Sequence, residues 1–123
     1  MKAILLVAFG GAAGALARWA MAGGIDQWAR GSRFPWGTVA VNAVGCLIIG
    51  LLYGLAETRA WLTDATRWLL FVGFLGSFTT FSTFSWQSFD LLRQGHAGLA
   101  FANLLGSVAL GLACVWLGYW AGK

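Results

Sequence analysis

The chain has 123 residues, of which 59% are hydrophobic and 10% are charged, and its mean hydropathy is +0.75. Soluble domains carry about 25% charged residues, and one of this length has no core large enough to bury so much apolar surface. The net charge of +4 comes without a basic stripe of interleaved aromatic residues, so it does not indicate a nucleic-acid interface. Composition predicts an integral membrane protein with one domain over residues 1–123.

Four segments are long and apolar enough to cross the bilayer, which takes about 20 residues per helix. Short polar connections separate them, and eight Trp residues suit the two membrane interfaces. We therefore expect an all-α fold of four transmembrane helices. Their predicted ranges are 3–22, 37–56, 68–92 and 98–121.

The first segment begins after Lys2 and ends near Ala20-Met21-Ala22, which imitates the cleavage site of a signal peptide. Arg18 beside that site and the length of the apolar run favour a retained spanning helix. Arg18 is the one full charge deep in a segment. Its guanidinium either snorkels to the headgroups or attracts anions at a vestibule.

Small and polar residues recur at helical spacing in the first, second and fourth segments. GxxxG steps begin at Gly10 and at Gly50, and such steps favour close helix packing in lipid. Asn42 follows Thr38 by four residues, and Ser107 follows Asn103 by four, so each pair shares a helix face. An isolated Asn in a membrane helix usually forms an interhelical hydrogen bond, but two such pairs favour a polar path.

The third segment contains the stretch GFLGSFTTFSTFSWQ, from Gly73 to Gln87. Six of the nine residues from Ser77 to Ser85 carry hydroxyls, with phenylalanines threaded among them at a spacing of three. Unpartnered polar groups are costly at membrane depth, so this stretch is predicted to line a path for a small polar solute or ion. Because the hydroxyls compete for backbone partners, we expect a helix break near Gly76–Thr80, with carbonyls freed for a hard cation.

The basic residues are balanced between the two sides of the membrane. With four spans, both termini and the 57–67 loop share one side, and each side carries four Lys or Arg residues. Orientation follows from a Lys/Arg imbalance, so this balance predicts insertion in both orientations and antiparallel pairing of two chains. The residues are Lys2, Arg59, Arg67 and Lys123 on one side, and Arg18, Arg30, Arg33 and Arg93 on the other.

Three blocks of the chain resemble the Fluc (CrcB-type) fluoride channels: GGAAGALARW from Gly10, FPWGTVAVNAVGCLIIG from Phe34 and, most specifically, GFLGSFTTFSTF from Gly73. The resemblance implies a fluoride-selective channel that passively exports fluoride across the plasma membrane and so lowers its toxicity. It also implies an antiparallel, dual-topology homodimer with a structural sodium ion at its centre. Ser77, Trp19 and Gln87 depart from the family's frequent glycine, tyrosine and glutamate.

Residue by residue, the resemblance implies that the ring edges of Phe81 and Phe84 line the pore, and that Arg18 lies at a vestibule. The carbonyls of Gly76 and Thr79 would bind the sodium ion. Side-chain donors can replace the water that fluoride sheds, and a ring offers an anion only its positive edge. The polar pore residues would be Asn42, Ser107, Thr38, Ser82 and Thr83.

Other functional classes have weaker support in the sequence. A small multidrug-type, proton-coupled transporter needs a carboxylate in its first helix, whereas the first segment, 3–22, has none and Asp90 lies near the end of the third segment. A proton-coupled fluoride exchanger and a non-transporting assembly subunit stay as alternatives. An enzyme is not expected, since His96 has no spaced partners and Cys46 and Cys114 form no CxxC motif.

Overall fold

The computed structural model describes residues 1–123, and all of its regular structure is helical. Four helices are long and apolar enough to cross a membrane, which confirms the predicted all-α, four-span fold. The third span, Asp64–Arg93, is divided in two. The helices are α1 (Lys2–Trp28), α2 (Trp36–Thr58), α3 (64–78), α4 (Phe81–Arg93) and α5 (Ala97–Gly122).

The helices extend beyond their predicted ranges at the bundle ends. The first, predicted to end at residue 22, continues to Trp28, because helical hydrogen bonding does not stop where the apolar run stops. α2 begins where the Asp26 carboxylate accepts a hydrogen bond from the Gly37 N–H at 2.9 Å. Its other end is tied to α5, since the Tyr119 hydroxyl donates to Glu57 at 2.7 Å. Lys123 adds an ion pair to Glu57 at 3.0 Å, and Tyr119 and Glu57 together raise the pKa of Lys123.

The bundle consists of two closely packed helix pairs, α2 with α5 and α1 with α3. Glycines allow the backbones of each pair to touch. A Cβ atom at Gly50 would overlap the Val115 carbonyl oxygen, and one at Gly118 would overlap that of Leu47. Both predicted GxxxG steps therefore lie at helix contacts, since Gly10 meets α3 in the same way.

The third span departs twice from a regular α-helix. Nine residues of α3, Arg67–Leu75, form wider π-type turns. The helix then stops: Thr79 has φ −81° and ψ 157°, and Thr80 has φ −147° and ψ 116°, both extended. This break lies within the predicted range. Gly45 of α2 makes room for it, because a Cβ there would overlap the Thr79 methyl group.

Many large apolar side chains are exposed at the surface of the single chain. Only 18 of 123 residues are buried within the single chain, so packing inside it leaves a large apolar exterior. Phe9 and Trp19 are 81% and 77% exposed, which suits contact with lipid or with another protein.

Candidate functional site

A cavity of about 440 Å³ lies where α2, α3, α4 and α5 meet, beside the break in the third span. It lies where the extended residues Thr79 and Thr80 separate α3 from α4. No acidic or basic side chain lines it. Six of the ten predicted site residues do: Asn42, Gly76, Thr79, Phe81, Phe84 and Ser107.

Asn42 binds the backbone at the break through two hydrogen bonds. Its Nδ2 donates to the Thr80 carbonyl oxygen at 3.1 Å, and the Thr80 N–H donates to its Oδ1 at 2.8 Å. A primary amide offers one oxygen and two N–H donors. One N–H of Asn42 therefore has no partner within the chain and is available to a solute in the cavity.

The cavity hydroxyls already use their protons inside the protein. Thr79 Oγ1 donates to the Leu75 carbonyl at 2.9 Å, and Ser107 Oγ donates to Asn103 Oδ1 at 3.1 Å. A hydroxyl has a single proton, so these two groups present lone pairs to the cavity. Asn42 is thus the lining side chain that has a free N–H for an anion.

A buried hydrogen-bond chain continues from the cavity between α5 and α4. Asn103, which is fully buried, donates from Nδ2 to Ser88 Oγ at 2.9 Å, and Ser88 donates to the Phe84 carbonyl at 2.8 Å. Ser88 was absent from the predicted site. Its position one helical turn after Phe84, on the same face, is the signal that could have identified it.

Phe81 and Phe84 form a tilted aromatic pair at the cavity, with ring centroids 5.8 Å apart and planes at 48°. Their environments differ sharply, since Phe84 is 9% exposed and Phe81 is 79% exposed. Within one chain, the Phe81 ring therefore has protein on one side only. The cavity wall is incomplete on that side.

Backbone carbonyls lose their helical donors at the break, among them those of Gly76 and Thr79. In a continuous helix the Thr80 N–H would bind the Gly76 carbonyl, and the Thr83 N–H would bind that of Thr79. Here the Thr80 N–H binds Asn42, and the Thr83 N–H binds Thr80 Oγ1 at 3.3 Å. The Gly76 and Thr79 carbonyls are thereby left for other partners, and such oxygens suit a hard cation.

The other four predicted residues do not line the cavity. Thr38 is buried one turn before Asn42 on α2. Ser82 and Thr83 are exposed in the first turn of α4, where the Thr80 hydroxyl donates to Thr83 Oγ1 at 3.0 Å. Arg18 is half-buried on α1.

A second cavity, of about 530 Å³, lies between the α1–α2 loop and the end of α4. Its carboxylates are engaged within the protein: Asp26 caps α2, and Asp90 pairs with Arg93 at 2.7 Å. Arg33 contacts His96 across the loops. Gln87 Oε1 is buried there without a hydrogen-bond partner.

Comparisons with known proteins identify one family. The family described as "CrcB-like protein, Camphor Resistance (CrcB)" has a sequence model that matches residues 5–119, which include every cavity residue. The "Fluoride-specific ion channel FluC" of Geobacter sulfurreducens is 46% identical over 123 residues, covering 100% of this chain and 98% of that protein. That of Methylobacillus flagellatus is 43% identical over 119 residues, covering 97% and 93%. That of Nitrosococcus oceani is 42% identical over 113 residues, covering 92% and 90%.

Proposed function

The chain belongs to the CrcB-like family, and on that premise we propose that it is a fluoride-selective channel through which fluoride leaves the cytoplasm passively. The relatives named as fluoride-specific channels support the choice of fluoride as the conducted ion. The observation that carries the proposal is the cavity at the helix break, because it holds one free amide N–H and three aromatic rings, including those of Phe81 and Phe84, but no fixed charge. This is a multi-pass protein, and we place it in the plasma membrane.

The lining chemistry suits a small anion that accepts hydrogen bonds strongly. The free N–H of Asn42 can replace one water of the hydration shell. Phe81 and Phe84 can present the positive edges of their rings. Edge contacts hold an ion weakly, and conduction needs sites that an ion can leave. Chloride, which is larger, gains less from the same donors.

The membrane potential supplies the driving force for export. Hydrogen fluoride enters from acidic surroundings and ionises in the near-neutral cytoplasm. An inside-negative potential of about 100 mV changes the free energy of one negative charge by about 2.3 kcal/mol, which corresponds to roughly fifty-fold expulsion. A passive pore is therefore sufficient, and the proposed function includes neither a pump nor an enzymatic step.

The working unit in this proposal is an antiparallel homodimer. Phe81 is 79% exposed although it lines the cavity, so a second copy would supply the missing wall. The equal Lys and Arg counts on the two sides permit the opposite insertion that this arrangement requires. A two-fold axis in the membrane plane then generates two equivalent pores.

A structural sodium ion is part of the same proposal. Gly76 and Thr79 provide two freed carbonyl oxygens per chain, and a two-fold axis beside them would bring four together. When bound, sodium would neutralise the negative ends of these carbonyl dipoles. The chain itself keeps the Gly76 and Thr79 carbonyls free, because the N–H groups of Thr80 and Thr83 bind side chains instead.

The test is fluoride efflux from liposomes that contain the purified protein, read with a fluoride electrode beside a chloride control. Fast release of fluoride with chloride retained is the expected result. Equal release of both ions would contradict the selectivity, and release of neither from dimeric protein would favour an assembly subunit. Efflux that requires an imposed pH gradient would favour a proton-coupled exchanger, although the engagement of Asp90 by Arg93 argues against a free carboxylate carrier.

A further inference from the structure

We propose that Asn42 is a positioning residue that creates the break in the third span and keeps the Gly76 carbonyl free, so that one side chain builds both the anion path and the cation site. This inference rests on the proposed fluoride channel for its functional meaning. Its geometry is independent of that function, because it is drawn from hydrogen bonds within one chain.

Asn42 contacts the break in the third span at a single residue. Its amide oxygen and one N–H bind the N–H and the carbonyl of the same residue, Thr80, which lies 38 positions away. The side chain therefore acts as a second peptide group placed beside the Thr80 backbone. Both backbone groups of Thr80 are satisfied at membrane depth, where an unpaired group is costly.

Without the Asn42 contact, the third span could continue as one helix through Thr79 and Thr80. The Thr80 N–H would need another acceptor, and the nearest in a continuing helix is the Gly76 carbonyl. Forming that bond would occupy the oxygen assigned to sodium and close the break. It would also rotate α4 relative to α3, because Thr79 and Thr80 would leave their extended conformations.

The Asn42 contact also positions the aromatic pair, Phe81 and Phe84. Phe81 is the first residue of α4, and it follows directly after the clamped Thr80. The direction in which Phe81 leaves the break is thus fixed by the Asn42 contact. The amide that donates to the anion and the ring that lines its path are positioned by the same two hydrogen bonds.

An aspartate at position 42 makes the clamp depend on pH, and because its charged form also repels an anion, the sodium measurement below separates the two effects. The carboxylate of Asn42→Asp accepts from the Thr80 N–H but cannot donate to the Thr80 carbonyl, whereas its neutral acid can do both. Cys46 is the only ionisable side chain that lines the cavity of the wild type. The wild type and both variants contain Cys46, so any effect of its ionisation cancels when each variant is compared with the wild type at the same pH. Asn42→Leu keeps similar bulk and can make neither bond, so it is the matched control.

The first measurement is fluoride efflux of each variant relative to wild type between about pH 7.5 and about pH 5.5, with protein-free liposomes as the leak control. Relative flux through Asn42→Asp should rise as pH falls, by at most about tenfold for each pH unit, because the neutral fraction rises by that factor while the pH is above the pKa of the carboxyl group. Asn42→Leu should stay at the leak level throughout. Comparing one variant with itself at two pH values removes folding yield from the comparison.

The second measurement is the melting temperature of the purified protein in sodium against N-methylglucamine. Sodium should stabilise the wild type, leave Asn42→Leu unaffected, and stabilise Asn42→Asp more as pH falls. A side chain that only touched the anion would leave the sodium effect intact in all three proteins.

The proposal is overturned if Asn42→Leu conducts or keeps the full sodium shift, if relative flux through Asn42→Asp is independent of pH, or if sodium fails to stabilise the wild type. A wild type that releases no fluoride but keeps its sodium shift, with Asn42→Leu losing it, would instead refute the fluoride channel and leave the positioning role standing.

Discussion

Phe81 and Phe84 are the residues at which the pore proposal can be tested most directly. Replacing either with Ile keeps an apolar side chain but removes the positive ring edge, so fluoride efflux should fall by about 100-fold or more, the equivalent of about 2.7 kcal/mol. The dimer should persist, because Ile fills much of the same space.

Phe89→Ile is the matched control for both substitutions. Phe89 lies on the same helix, is 55% exposed and pairs with Trp86 away from the cavity. Efflux through this variant should equal that of wild type. If all three phenylalanine variants behave alike, the ring edges have no special role.

Ser88 provides a test of the buried chain behind the cavity. Ser88→Ala removes the acceptor of the Asn103 amide, which is fully buried, and should destabilise the protein by about 1–2 kcal/mol. The melting temperature should fall. Ser85→Ala, on the exposed side of the same helix, should leave it unchanged, and an equal fall in both would assign the effect to helix propensity.

Six of the ten residues predicted for the site line the cavity, but their hydrogen-bond partners could not be predicted. The spacing of Thr38 and Asn42 gives a shared helix face, yet Asn42 bonds to Thr80, which no local period connects to it. The proton of Ser107 likewise goes to Asn103 instead of the cavity. Donor availability depends on tertiary partners, so it follows from coordinates and not from composition.

At the scale of whole helices, the contact between α2 and α5 depends on glycine. Gly118→Ala should destabilise the bundle by about 1–3 kcal/mol, because its Cβ would overlap the Leu47 carbonyl and the backbones would have to separate. Melting temperature of the purified protein measures the effect.

Gly106→Ala is the control within the same helix. No atom lies within 4 Å of the Cβ position at Gly106, so this substitution should be neutral or stabilise the helix by up to about 1 kcal/mol. A similar loss from both variants would contradict the role of backbone contact. The paired result separates packing from glycine's intrinsic effect on a helix.

Only one of the two irregularities in the third span can be predicted from the sequence. Hydroxyls that compete for backbone groups make a break at Thr79 and Thr80 predictable from the sequence, and Thr80 indeed caps α4. The π-type turns of Arg67–Leu75 have no such signal, since RWLLFVGFL suits an α-helix equally well. Those wider turns depend on packing against α1, which local propensity does not contain.

For the whole molecule, the balanced charges lead to a test by complementation. Replacing Arg59 and Arg67 with Gln leaves two basic residues on one side against four on the other, and replacing Arg30 and Arg33 reverses the bias. Each variant alone should insert mainly one way and lose fluoride efflux, because antiparallel pairs become rare. Co-expression of the two should restore it.

Arginine-to-lysine versions of the same pairs are the controls, since they keep both counts at four. Protease cleavage of a C-terminal tag from outside intact cells reports the orientation directly. About half of the wild-type chains should be cleaved if both orientations form. Full efflux from either Gln variant alone would refute the antiparallel dimer.

The pairing of α2 with α5 also sets an order for assembly during synthesis. Gly118 of α5 meets Leu47, which the ribosome has made 71 residues earlier. At a synthesis rate of about 5–20 residues per second, Gly118 is added roughly 4–14 s after Leu47. During this interval the glycine face of α2 has no partner helix, whereas α1 and α3 are already able to pack. A chain whose synthesis stopped before α5 would leave the glycine face of α2 without its partner helix.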